Sequence, residues 1–292
     1  MAEYQLTLPG QIVKKHNNLI RTKVTPVSVD ASRIFASLVA CIRADDTTLK
    51  APYVVAVKDF IPDSSGRGYA RVKGLCKELG QILAEMEEPD PDGDHPIFTA
   101  CPLFSKIKYR RGIVTATFNE ALAPFLIALN ACFTKYNLLE YLLLPSAYSQ
   151  RIFEILKSWQ KVQGCEVILN ISQLHHMLDT PPSFRKNFVE FRRWVLEKAH
   201  KDIHEKTSLR YEWESIKVGR SVEKIRFTFG SKKELAAKVK EEAKVEKQKR
   251  LNNQRFRRAV ECAKAKGGDC RVMDNTRIVC KLCREVGICK FW

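Results

Sequence analysis

Two kinds of side chain in this sequence have types and spacings that could do chemistry. The first is the thiolate. Ten cysteines occur, and Cys262, Cys270, Cys280, Cys283 and Cys289 crowd toward the C-terminal end. Cys280-Lys-Leu-Cys283 is a CxxC pair able to put two thiolates on one tetrahedral zinc ion, and Cys270 and Cys289 would complete four ligands. The second CxxC of such sites is missing, so unliganded thiols are the plainer reading and no other cofactor is expected. The second kind is the cation that meets phosphate and base edges. Arg185, Lys186, Asn187, Arg192 and Arg193 cluster, Lys217 and Arg220 follow, and Arg67, Arg71, Lys73, Arg110 and Arg111 precede them. A guanidinium pairs bidentately with guanine and an Asn amide with adenine, while Lys and Arg also hold backbone phosphates.

Catalytic spacings are missing from the sequence. His175 and His176 are adjacent, and neighbouring helical residues diverge by about 100°, so they read as helix-surface histidines and not as a chelating pair. P-loop, HExxH, GxSxG and paired-carboxylate motifs do not appear, so no enzyme is expected. A formal charge of +17 on 292 residues, with 45% apolar and 28% charged residues, describes a globular chain drawn to a polyanion. No apolar run approaches the length of a membrane span and no signal peptide opens the chain. The expectation is a cytoplasmic protein with reduced thiols.

The elements that must position these cations run from Ser146 to Phe229. Ile152, Phe153, Leu156 and Trp159 fall at helical spacing. Ile171 to Leu178 predicts a short helix stopped by Pro181 and Pro182. Ser183 is then the expected N-cap of a long helix over 183–206. Phe184, Phe188, Phe191, Val195, Ala199 and Ile203 form its apolar stripe, with Lys186 and Arg193 opposite and Arg185 and Arg192 at the edge. Two alternating segments flank Val218-Gly219-Arg220-Ser221, a hairpin with a basic tip. Helix, short helix, basic helix and hairpin, in that order, predict a winged helix with 183–206 as recognition helix. The competing reading is a three-helix packing unit whose charged face is merely wet. A basic helix and a basic wing tip together favour duplex DNA.

The N-terminal half gives a weaker version of the same order. Ser32 to Ile42 predicts an amphipathic helix, Tyr53 to Phe60 a strand, and Gly68 to Met86 a long helix carrying Arg71, Lys73 and Lys77, with Arg67 just ahead of it. An acidic, proline-rich loop covers 87–96. Phe104 to Tyr109 and Ile113 to Phe118 flank Arg110-Arg111-Gly112 as a first wing. A helix is expected over Ala121 to Tyr136. After Phe229 the chain turns Ala-, Lys- and Glu-rich: residues 231–292 hold 18 Lys and Arg against 8 Asp and Glu, so +10 of the +17. That tail reads as partly helical or disordered, and adds nonspecific DNA affinity. It lacks the apolar face that membrane binding needs.

The segments SAYSQRIFEILKSW, EFRRWVLEKAHKDIHEKTSLRYEW and IKVGRSVEKIRFTF closely resemble the second winged-helix domain of the initiator Rep proteins. These are the iteron-binding replication initiators of bacterial plasmids. FTKYNLLEYLLLPSAYS (133–149) resembles that family's junction between its two winged-helix domains, and the resemblance extends over roughly 11–230. The resulting fold class is α+β: two tandem winged-helix domains with a charged, mainly helical or disordered C-terminal tail. The expected divisions are 1–144, 145–230 and 231–292. The resemblance implies double-stranded DNA at origin repeats and at the chain's own promoter as partner. It also implies self-association between a monomer that initiates and a dimer that represses, and recruitment of a host initiator and replicative helicase. A transcriptional regulator on the same scaffold, with no role in initiation, is the alternative. A rolling-circle endonuclease is a further rival.

Overall fold

In the computed structural model the described residues are 11–24, 28–43, 45–57, 66–88, 90–160, 166–219 and 221–230; the side chains of Arg67 and of 86–88 are not among them. The expected tail over 231–292, with its four candidate zinc ligands Cys270, Cys280, Cys283 and Cys289, lies outside the described residues, as does Arg220.

β1 (Ile12–His16) pairs antiparallel with β8 (Phe133–Asn137), register Val13 to Tyr136, so the first strand is held by one from far along the chain. α1 (Asn17–Arg21) and β2 (Lys23–Val24) follow. α2 (Val29–Ala40) begins at Ser28, whose hydroxyl accepts from the Ala31 amide at 3.3 Å, and it buries Ala31, Ile34, Leu38 and Val39. Two three-stranded antiparallel sheets complete this half. One orders β2, β4 (Leu83–Glu88) and β5 (Ile97–Pro102); the other orders β3 (Tyr53–Ala56), β7 (Ile113–Phe118) and β6 (Phe104–Arg110). α3 (Gly66–Gly80) packs Val72, Leu75 and Leu79 into the core. After a short α4 (Ala123–Leu126), β8 and α5 (Leu138–Leu142), the chain enters α6 (Ala147–Gln160).

α6 is shared between the two halves. Its Ile152, Phe153, Ile155 and Leu156 are buried. Toward the first half, Lys15 Nζ lies 2.6 Å from Glu154 Oε1, and Arg21 donates to Ser158 Oγ at 3.0 Å and to its carbonyl at 2.7 Å while stacking on Trp159. Toward the second half, Ser149 donates to Asp202 at 2.6 Å. Then come β9 (Glu166–Asn170), α7 (Ile171–Met177), α8 (Pro182–Lys186) and α9 (Phe188–Phe191). A π-helical segment, Arg192–Glu197, leads without interruption into α10 (Lys198–Lys206). β10 (Tyr211–Val218) and β11 (Ser221–Phe229) close a sheet ordered β10–β11–β9, with Ile225 and Phe227 inward.

Several expectations are corrected. The helix expected over 68–86 ends at Gly80, and Leu83 and Met86 belong to β4, where Leu83 is 40% exposed. Leu, Ala, Glu and Met are good helix formers, but backbone pairing with β2 and β5 overrides that preference. The β4–β5 hairpin therefore stands between α3 and the first wing, and β5 had no counterpart among the expected elements. The helix expected over 121–136 stops at Leu126, and its last residues form β8 against β1. The expected strand over 53–60 is described only as far as Ala56, with 58–60 outside the described residues. The recognition helix does not start at Ser183: α8 breaks at Asn187, which is extended (φ −127°, ψ 95°) and caps α9.

Candidate nucleic-acid interface

The second unit presents a rod from Phe188 to Lys206 whose inner face is fixed by the predicted stripe. Phe191, Val195, Ala199 and Ile203 are fully buried, and Phe188 is half-buried. These positions recur every four residues, slower than the 3.6-residue turn of an α-helix. The wider π turn over 192–197 takes up the drift and keeps the stripe on the core. It also brings Arg192 Nε within 2.7 Å of Glu197 Oε1, an i,i+5 pair.

The start of the rod is set by Asn187. Its Oδ1 accepts from the Val189 amide at 3.1 Å and the Glu190 amide at 3.3 Å. That oxygen is committed to the cap, which leaves only the amide NH2 to meet a base. Beyond the cap the outward face carries Val189, 68% exposed, and Arg193 one turn later. Beside them Trp194, half exposed, donates from Nε1 to Glu190 Oε2 at 2.7 Å, and the Arg193 guanidinium sits 5.3 Å from its ring centroid. Val189, Glu190 and Trp194 were not among the residues expected to form the site. An exposed apolar residue looks like a core residue in sequence, and only its position one step off the buried stripe marks it.

Of the predicted cations, three come together. A cleft between α7, α8 and the second wing is lined by Arg185, Lys186 and Lys217, with His176 and Phe188. Arg185 is partly committed, donating to the Thr180 carbonyl at 2.9 Å and lying 3.6 Å from Asp179; Lys186 and Lys217 are exposed. The two histidines differ. His176 is exposed at this cleft, but His175 is buried, with Nδ1 2.7 Å from Thr180 Oγ1 and its ring 4.4 Å from Phe191. The expectation of two surface histidines therefore holds only for His176. Burial, and Arg185 nearby, push the His175 pKa below its ordinary value.

In the first unit, Arg110 and Arg111 stand exposed at the wing tip. Arg111 (φ 48°) and Gly112 (φ 78°) form the two-residue turn, both left-handed as a type I′ hairpin requires. Lys106, Lys108 and Arg110 alternate along β6 and are all exposed, so the wing carries a basic row of which only its tip was predicted. Arg71 is ion-paired with Asp30, and Lys73 is exposed on α3. Tyr69 of α3 lies 5.7 Å from Tyr109 of β6, joining helix to wing. None of Arg71, Lys73, Arg110 and Arg111 lines the cleft of Arg185, Lys186 and Lys217.

A helix with a basic outward face followed by a hairpin with exposed cations, Arg110 and Arg111 in the first unit and Lys217 in the second, defines a tandem winged-helix protein. The chain matches the models of the Initiator Replication protein WH1 domain over residues 12–157 and of the Initiator Rep protein WH2 domain over 170–229. It belongs to the initiator Rep protein family. Among solved structures, it is similar to the Pi initiator protein in complex with iteron DNA, at 19% identity and a TM-score of 0.60, over 76% of this chain and 98% of that one. Two further likenesses are too slight to carry an argument. The WH1 domain of a replication protein isolated from a multiple sclerosis patient gives 19% identity and a TM-score of 0.25, over 34% of this chain and 79% of that one. RctB domains 2-3 give 9% identity and a TM-score of 0.36, over 69% and 80%. No described helix is long and apolar enough to cross a membrane.

Proposed function

We propose that this chain initiates plasmid replication by binding repeated sites at an origin, and that as a dimer it represses its own promoter. The observation that supports this best is the outward face of the 188–206 rod beside the Arg185–Lys186–Lys217 cleft. A helix in the major groove reads base edges, and a cation-lined cleft next to it holds the flanking phosphate. Arg193 and Val189 are the base-facing pair, toward guanine and a thymine methyl respectively. Lys186, Lys217, Arg220 and Arg192 hold backbone, as do Arg110, Arg111, Arg67, Arg71 and Lys73 of the first unit. The first unit, 1–144, contributes dimerisation and phosphate contacts; the second, 145–230, reads sequence. Strand opening and helicase loading fall to a host initiator and helicase, in the cytoplasm of a bacterium, and the chain itself cuts no DNA.

Footprinting on DNA flanking the coding region tests the reading. Several tandem sites in one phase are expected; a single palindrome would make the protein a repressor alone. Supercoiled DNA carrying the repeats, incubated with magnesium or manganese, should remain uncut.

A further inference from the structure

A cavity of about 260 Å³ lies where β1, α1 and α2 meet α6 and the end of α7, so both family-matched segments line it. Most of its wall is apolar, formed by Leu19, Ile20, Phe35, Ile82, Leu103 and Met177. One end is charged. Lys15, Arg151 and Glu154 line it, and Lys15 and Glu154 are 3% and 4% exposed.

The charges at that end do not cancel. Lys15 Nζ is 2.6 Å from Glu154 Oε1, and Arg151 Nη1 is 3.6 Å from Glu154 Oε2, two cations on one carboxylate. Arg151 also donates from Nε to the Met177 carbonyl and from Nη2 to the Thr22 carbonyl, which satisfies those groups without adding counter-charge and leaves further N–H donors of its five. Among the described residues neither cation has a second carboxylate within ion-pair distance. A surplus charge buried this far, with the Lys15 side chain 4% and the Arg151 side chain 16% exposed, is costly unless a counter-charge reaches it. An ammonium has three donors. Lys15 spends one on Glu154 and lies over the Phe35 ring, 4.4 Å from its centroid, and that ring is itself part of the cavity wall.

We propose that this cavity binds a compact aliphatic carboxylate, its head group on Lys15 and Arg151 and its chain among Leu19, Ile20 and Ile82. At about 30 Å³ per water-sized group the space holds roughly nine such groups, which suits a carboxylate near eight carbons. Because the wall comes from both matched segments, occupancy favours the packing of one against the other that is seen here. The site shares no lining residue with the Arg185–Lys186–Lys217 cleft and does not depend on the proposed DNA binding.

Calorimetric titration of the full chain with octanoate and with octylamine is the test. Octanoate is expected to bind saturably at one site, with octylamine at least tenfold weaker. Ala147 lines the same cavity, and Ala147→Phe should weaken octanoate at least tenfold while thermal unfolding stays cooperative; if that variant does not fold, Leu19→Phe fills the same space from another element. Lys15→Met should remove the preference for octanoate over octanol. No saturable octanoate binding, equal binding of the amine, or wild-type affinity in the filled variant would each overturn the assignment.

Discussion

Lys15 Nζ meets Glu154 Oε1 across 139 residues of sequence, with both side chains buried. Tyr136 donates to the same carboxylate oxygen, so one acceptor on α6 gathers groups from β1 and β8. Breaking a buried pair from one side costs about 3–5 kcal/mol, whereas replacing both members by apolar residues is often neutral. Glu154→Leu strands both Lys15 and Arg151 and should lower the urea midpoint strongly; Lys15→Met leaves Glu154 paired with Arg151 and should cost less, and adding it to Glu154→Leu should recover part of the loss. Additive losses would mean the two side chains are not coupled.

The same carboxyl sets an acid limit. Burial pushes the Glu154 pKa up, but Lys15 and Arg151 more than offset it, so it sits below the ordinary value. A depressed carboxylate stabilises the fold above its unfolded pKa of about 4.3, and that contribution is lost as pH falls from there through the folded value. Burial outweighs Glu154 at Lys15 and lowers that pKa too. Wild-type stability should therefore fall more steeply below pH ~4.3 than that of the Lys15→Met/Glu154→Leu double variant, as read by urea unfolding at stepped pH.

Asn187 separates capping from base reading. As an N-cap, Asn187→Ala should cost about 1 kcal/mol, and Asn187→Ser or Asn187→Asp should restore the thermal midpoint. If Asn187 instead reads adenine through its free NH2, Asn187→Ser will restore stability but leave specific affinity low.

On the DNA face, Arg193→Ala should cost about 1–3 kcal/mol on repeat DNA and little on random duplex. Val189→Ala should act at one position only, where thymine gives way to uracil without penalty in the variant. Lys217→Ala should weaken all duplexes alike and reduce the salt slope by about 1. Competition binding at two salt concentrations distinguishes these outcomes, and a uniform loss for Arg193→Ala would reassign it to the backbone.

At the first wing, Gly112→Ala places a Cβ on a φ of +78°, with no neighbouring atom within 4 Å of it. The cost is purely conformational, about 1–2 kcal/mol, and should appear as a lower thermal midpoint. A Gly112→Asn variant should lose less.

The parts of the fold written in local pattern were legible. Both wings alternate and turn at glycine, and the buried stripe of 191–203 stands out by spacing alone. What pairs at long range was not. β5 is an edge strand with Ile97 and Phe98 exposed, so it shows no alternation, and β8 becomes a strand only because β1 accepts it. Asn187 hid the break between α8 and α9 because an extended residue within a helical pattern leaves no mark on hydrophobic spacing. The cations of the second unit were identifiable by type, but the commitment of Arg192 to Glu197 and of Arg185 to Thr180 shows only in three dimensions.

The clasp of β1 by β8 imposes an order on biosynthesis. Strand 12–16 can be seated only after residue 137 has left the ribosome, a wait on the order of ten seconds at ordinary elongation rates. Until then Val13 and the helix after it have no completed partner, so this segment of the nascent chain is for that interval open to chaperones, proteases and other nascent copies.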